Sequence, residues 1–122
     1  MTIAMMIGLG VGIFIGVFFD VTYPAQFSFY VSMGLLAAMD SLLGALRAHL
    51  EGKYSNIIFV SGFLTNAILA AALVYLGTRL GLPLYYAVIF VFGGRLFQNL
   101  AVIRRILIDK YFTKKDINVY NK

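Results

Sequence analysis

Long apolar runs separated by short polar turns dominate the chain: residues 3–19, 27–50, 57–76 and 84–108. Each approaches the roughly 20 residues an α-helix needs to cross the hydrocarbon of a bilayer. They are far longer than barrel strands and do not alternate polar with apolar positions. The separators hold turn residues: Pro24 in 20–26, Gly52 in 52–56, and Gly77, Gly81 and Pro83 in 77–83. Each proline stands where a helix begins, the place at which its missing N–H costs least. The pattern predicts an all-α integral membrane bundle of four transmembrane helices spanning residues 1–112, followed by a polar cytoplasmic tail, 113–122.

Composition strengthens this reading. Apolar residues fill 61% of 122 positions and charged residues 12%, a balance that a soluble domain of this size could not hide in one core. One membrane domain accounts for the whole length. The chain has no cysteine, which excludes disulfides, thiol catalysis and cysteine-ligated metal, and no cofactor is expected. The first apolar run has no Lys or Arg before it and no small-residue cleavage site after it, so it reads as a retained helix and not as a leader.

The net charge of +5 gains meaning from its location. Arg104 and Arg105 stand at the end of the fourth run, Lys110, Lys114, Lys115 and Lys122 follow it, and Arg47 and Lys53 flank the turn after the second. The other two turns hold only Arg79. With four crossings, rich and poor segments alternate as the positive-inside rule requires, which predicts a multipass plasma-membrane protein with both termini cytoplasmic. A three-crossing alternative lays the second run on the membrane surface and keeps the tail inside. Arg47…Lys53-Tyr54 also matches Arg104…Lys110-Tyr111 in spacing. Two parallel hairpin repeats would give that match, and so would interfacial anchors recurring for physical reasons alone.

Candidate chemistry is sparse. Gly8, Gly12 and Gly16 lie four apart, a flat helix-packing face on which another backbone can approach closely. Asp40 stands seven residues before Arg47, about 10 Å deeper along a helix, and Arg95 lies at similar depth before Arg104. A lone charge in hydrocarbon costs on the order of 3 kcal/mol or more, so the two are expected to pair. Asn66, Gln98 and Asn99 would serve as hydrogen-bond neighbours in one intramembrane polar layer. Arg47, Glu51, Lys53, Arg104 and Arg105 form a cytoplasmic rim. The layer has two readings: a proton or substrate site of a transporter, or a register lock without turnover chemistry. A transporter predicts a water-accessible cavity around Asp40; a scaffold predicts a dry pair and an exposed glycine face.

Other features lead away from catalysis. The first run carries no ionisable residue, unlike small four-helix drug exporters, whose essential acid lies there. The segment Asp40-Ser-Leu-Leu-Gly44-Ala-Leu-Arg47 faintly resembles the Asp-Gly…Ala-Arg segment of phospholipid head-group transferases but lacks their further metal-binding aspartates. His49, the only histidine, has no companion ligand or nucleophile. Gly93-Gly94 has no strand before it, so it reads as a close-packing spot and not as a nucleotide loop. The basic tail begins at a membrane exit, where anionic lipid head groups are nearer partners than nucleic acid, which is not expected to bind.

The run Ala37-Ala-Met-Asp40-Ser-Leu-Leu-Gly44-Ala-Leu-Arg47-Ala-His-Leu-Glu51-Gly52-Lys53, with Ile58-Phe59-Val-Ser61-Gly62-Phe63-Leu-Thr-Asn66, resembles the small basic protein (Sbp) family of Gram-positive bacteria. So do Leu73-Val-Tyr75-Leu-Gly77 and Phe92-Gly93-Gly94-Arg95-Leu-Phe97-Gln-Asn99, continuing to Arg104-Arg105. Only the final dozen residues fall outside it, and Met39 and Gly94 are mild departures. The resemblance implies a plasma-membrane protein encoded, in many relatives, within the cell division and cell wall gene cluster. The expected function is a non-enzymatic membrane subunit or scaffold for division or envelope assembly, binding a membrane protein partner or its own copy. The alternative is a small oligomeric transporter or lipid-handling protein in which Asp40 titrates.

Overall fold

The computed structural model describes residues 2–20 and 22–113. The basic residues Lys114, Lys115 and Lys122, and nearly all of the expected tail, lie outside the described residues. Four helices follow the apolar runs: α1, Thr2–Phe18; α2, Ser28–Leu50; α3, Asn56–Leu80; and α4, Tyr85–Ile108. A 3-10 turn, Ala25–Phe27, leads into α2, and a π-helical turn, Asp109–Thr113, ends α4. Among the described residues there is no strand.

The turns work largely as their residues dictate. Pro24 opens the 3-10 turn, and Pro83 lies two residues before α4. Gly52 adopts the left-handed φ of 72° that lets α2 end, with Lys53 N–H donating back to the Ala48 carbonyl at 2.8 Å. Ser55 caps α3, its Oγ accepting the Ile58 N–H at 3.4 Å. One boundary moves: Gly77 was expected in a turn, yet α3 runs through it to Leu80. The stop is Gly81, at φ 67°. Gly77 is instead a close-approach site, where an added Cβ would lie 2.6 Å from the Leu82 carbonyl oxygen.

α2 is the central helix, packed most extensively against α4 and α3. Asp40 meets Arg95, and further along both helices Arg47 meets Asn99, so α2 and α4 run parallel. Asn66 meets Asp40 while Tyr54 and Phe59 lie level with Ala48 and Gly44, so α3 is antiparallel to α2. Met33, Ala37, Ala70, Val74, Val88 and Phe92 form the buried apolar core, in the half of the bundle away from the Arg47 end. Small residues on α2, namely Ala37, Ser41, Gly44, Ala45 and Ala48, allow both neighbours to come close.

Three helices, including their flanking turns, are long and apolar enough to cross a membrane: Ala25–Leu50, Asn56–Leu80 and Tyr85–Phe112. α1, at 17 residues, is shorter, about 25 Å against a hydrocarbon core of about 30 Å. It touches α2 only slightly. α2, the run that the three-crossing alternative lays on the membrane surface, is one of these three helices and the one around which the others pack. The parallel α2 and α4 are what a hairpin repeat would give. The packing of α3 on α2 has no counterpart between α1 and α4 among the described residues.

Candidate functional site: a polar layer and a cleft

Each polar side chain in the bundle stands beside the core on a helix that the apolar pattern already fixed. Asp40 is one turn after Ala37, on the buried face of α2, and is fully buried. Arg95 reaches it from α4, with Nε 3.2 Å from Oδ1, and its side chain remains half exposed. The N–H is not aimed at the oxygen, so Oδ1 receives charge neutralisation but no hydrogen bond. Asn66 on α3 donates to the other oxygen, Oδ2, at 3.4 Å. One carboxylate thereby joins three helices.

The remaining expected members fall elsewhere. Asn99 is buried but one turn beyond Arg95, where its Oδ1 accepts from Arg47 Nη1 at 3.3 Å. It belongs with Arg47, and not with Asp40, because the parallel register of α2 and α4 sets Arg47 level with it. Gln98 is exposed. Three residues after Arg95, it points away from α2, so it is not part of the layer. Arg47 also pairs with Glu51 at 3.1 Å, an i,i+4 contact at the helix end. Lys53, Arg104 and Arg105 are exposed near the same end. Gly12 and Gly16 have nothing within 4 Å of an added Cβ, and neither has Gly8, which borders an apolar cleft of about 370 Å³ between α1, α2 and α3.

A second cleft lies where the transporter reading puts a cavity, at Asp40. About 240 Å³ of space lies between α2 and α3, with Tyr54 and Ser55 at one end and Asp40, Ser41, Asn66 and Arg95 at the other. Ser41 Oγ is buried and has no hydrogen-bond partner, and the same holds for Asp40 Oδ1. The residues that keep the space open are small: Gly44, Ala45 and Ala48 on one wall and Gly62 on the other. Gly44 and Ala48 lie four apart in sequence, a spacing that signals a groove on α2, although nothing in it says which helix leaves the groove unfilled. The expected dry pair and the expected cavity are therefore not cleanly separated. The pair forms, the glycine face is open, and a cleft reaches Asp40.

Among the described residues no cluster of three or more His, Asp or Glu could hold a metal ion. The arrangement can neutralise and orient a buried carboxylate.

Residues 23–108 match the family model described as a protein of unknown function, DUF1290. The small basic protein of Bacillus subtilis (strain 168) is 54% identical over 95 residues, 78% of each chain. Uncharacterized proteins of Mycobacterium bovis and Mycobacterium tuberculosis are 40% identical over 109 residues, covering 85% of this chain and 90% of theirs. No solved structure matches the chain.

Proposed function

The chain belongs to the DUF1290 family, and from that premise we propose that it is a non-enzymatic membrane subunit or scaffold serving cell division or envelope assembly. The observation behind this reading is α1, an apolar helix with little attachment to the bundle and with Gly8, Gly12 and Gly16 free of any contact to an added Cβ. A helix face of that kind packs against another backbone, since van der Waals contact and not water expulsion drives association in lipid. Its partner is a second copy or another membrane protein. The basic end, with Arg104 and Arg105, faces the cytoplasm and its anionic lipid head groups, and both termini lie on that side if α1 crosses.

Gly12→Leu tests the reading. An added Cβ at this position has nothing within 4 Å, so membrane level and melting temperature should stay at wild-type values while complexes captured by in-cell crosslinking through α1 disappear. Unchanged complexes, with division and wall synthesis unaffected, would remove the scaffold function.

A second reading, the small transporter or lipid-handling protein with Asp40 at its centre, is supported by the cleft that ends at that residue. The charge swap separates the two. If Asp40→Arg with Arg95→Asp restores both abundance and partners, the pair locks register; if abundance is normal and function still fails, the carboxylate itself is needed at position 40.

A further inference from the structure

We infer that the α2–α3 cleft, entered beside Lys53 and Tyr54, seats one anionic phospholipid of the leaflet at the basic end of the bundle, its two acyl chains lying on either side of the Phe59–Phe63 stack.

Shape comes first. His49, Tyr54, Phe59 and Phe63 form a ladder of rings, each 6.4 Å from the next, that runs from the interface into the membrane. Its two inner rings, stacked at 26°, line both the cleft of about 240 Å³ between α2 and α3 and the apolar cleft of about 370 Å³ that Gly8 and Leu9 of α1 close with Ala38 and Leu42. They make a fin with a trough on each side. A cavity of about 150 Å³ already takes a benzene, so each trough has room for part of a chain. Between Ser55 and Asn66 the first trough follows α3 for about 16 Å of helix rise, close to the roughly 15 Å that one leaflet contributes to the hydrocarbon core. An α-helix, about 10–12 Å across with its side chains, is too thick to enter between two helices already in contact. An acyl chain is thin enough.

Polarity changes along the same axis. Ala45, Ala48, Ile58, Phe59, Gly62 and Phe63 give the trough apolar walls, and at its inner end the polar groups are engaged with one another, Arg95 against Asp40 and Asn66 donating to the same carboxylate. Asp40 Oδ1 and Ser41 Oγ are buried behind that surface and ask nothing of an occupant. The outer end differs. Glu51 is taken up by Arg47, whereas Lys53 has no ion-pair partner among the described residues. The Ser55 hydroxyl accepts the Ile58 N–H and keeps its own hydrogen to donate. Among the described residues that end of the bundle carries five basic side chains against Glu51 and Asp109, which favours an anionic headgroup over a zwitterionic one. Tails gain little by exchanging one apolar neighbour for another, so the headgroup sets the selectivity. The inference rests on the lipid-handling reading for its cleft and is tested apart from it: the charge swap asks whether Asp40 acts, and the experiment below whether a lipid is seated.

The chain has no tryptophan, so Phe63→Trp places a single reporter in the fin. Phe97→Trp, on the exposed face of α4 at similar depth, is the control. The full chain is reconstituted in vesicles of phosphatidylcholine and phosphatidylglycerol, with one lipid or the other brominated in its acyl chains so that it quenches an indole it touches. Quenching at position 63 should favour brominated phosphatidylglycerol over brominated phosphatidylcholine by about fivefold or more, and quenching at position 97 should favour neither. Lys53→Gln should cut the preference at position 63 about fivefold, the effect of one lysine at an anionic surface. Gly62→Leu, whose added Cβ has nothing within 4 Å, should abolish it by filling the trough. Equal quenching by the two lipids at position 63, or a preference that survives Lys53→Gln or Gly62→Leu, overturns the inference. So does quenching by both lipids far below that at position 97, which would show the cleft filled by protein, such as a second copy. Phe59→Trp gives the same readout should Phe63→Trp fail to reach the membrane.

Discussion

Removing either member of the Asp40–Arg95 pair should be unequal in cost, with the arginine the more expensive to lose. Arg95→Ala leaves a fully buried carboxylate whose remaining donor is Asn66 at 3.4 Å. Breaking a buried pair this way costs about 3–5 kcal/mol, and insertion scales put a lone aspartate at the centre of a membrane helix at roughly 3. The insertion value is the one that applies to a helix in a bilayer, so about 3 kcal/mol is expected. Asp40→Asn keeps the volume and a partner for Asn66, and leaves a guanidinium that is already half exposed and can turn toward the Arg104 end. Its cost is that of one exchanged hydrogen bond, about 1 kcal/mol. The gap of about 2 kcal/mol corresponds to roughly 8 °C at about 4 °C per kcal/mol for a chain of this size. Far-UV circular dichroism melts of the full chain in nanodiscs would resolve it. The double variant, with neither charge, should melt above Arg95→Ala alone, because the stranded carboxylate is gone. Equal losses in the two single variants, or a double variant no better than Arg95→Ala, would refute the argument that burial of Asp40 sets the energetics of the layer.

Other predictions use the same melts. Gly77→Ala should destabilise by about 1–3 kcal/mol, because the added methyl meets backbone at Leu82 and not a flexible side-chain end. Gly81→Ala should cost about 1–2 kcal/mol from the left-handed φ alone, with nothing near its Cβ to clash. Ser55→Ala should cost about 0.5 kcal/mol, the low end for a cap, since its hydrogen bond is long at 3.4 Å. Arg47→Ala should cost about 1–2 kcal/mol, because it leaves the buried Asn99 oxygen without its donor. A wild-type melt for Arg47→Ala would mean that Asn99 finds water instead.

Helix number, most helix ends and the presence of helices apolar and long enough to cross a membrane were legible in the sequence because they follow from local facts: the length of an apolar run, and the φ that glycine or proline permits. The resemblance to the small basic proteins was equally legible, and the DUF1290 match and the Bacillus subtilis relative bear it out. The pairing of Asp40 with Arg95 could be expected from two charges at like depth, and the cost of leaving either alone requires some such solution. Depth alone does not give rotation about a helix axis. Gln98 and Asn99 are neighbours in sequence, yet about 100° separates them around α4, which turns one outward and gives the other to Arg47.

What the tertiary structure decided is which surfaces met and which did not. α2 became the centre because its stripe of small residues admits two helices at once, a property shared with α1, whose glycines met nothing. Choosing between two such stripes depends on the summed packing of whole helices, which no local pattern encodes. The cleft has the same origin. Gly44, Ala48 and Gly62 make space only because α3 crosses α2 at that height.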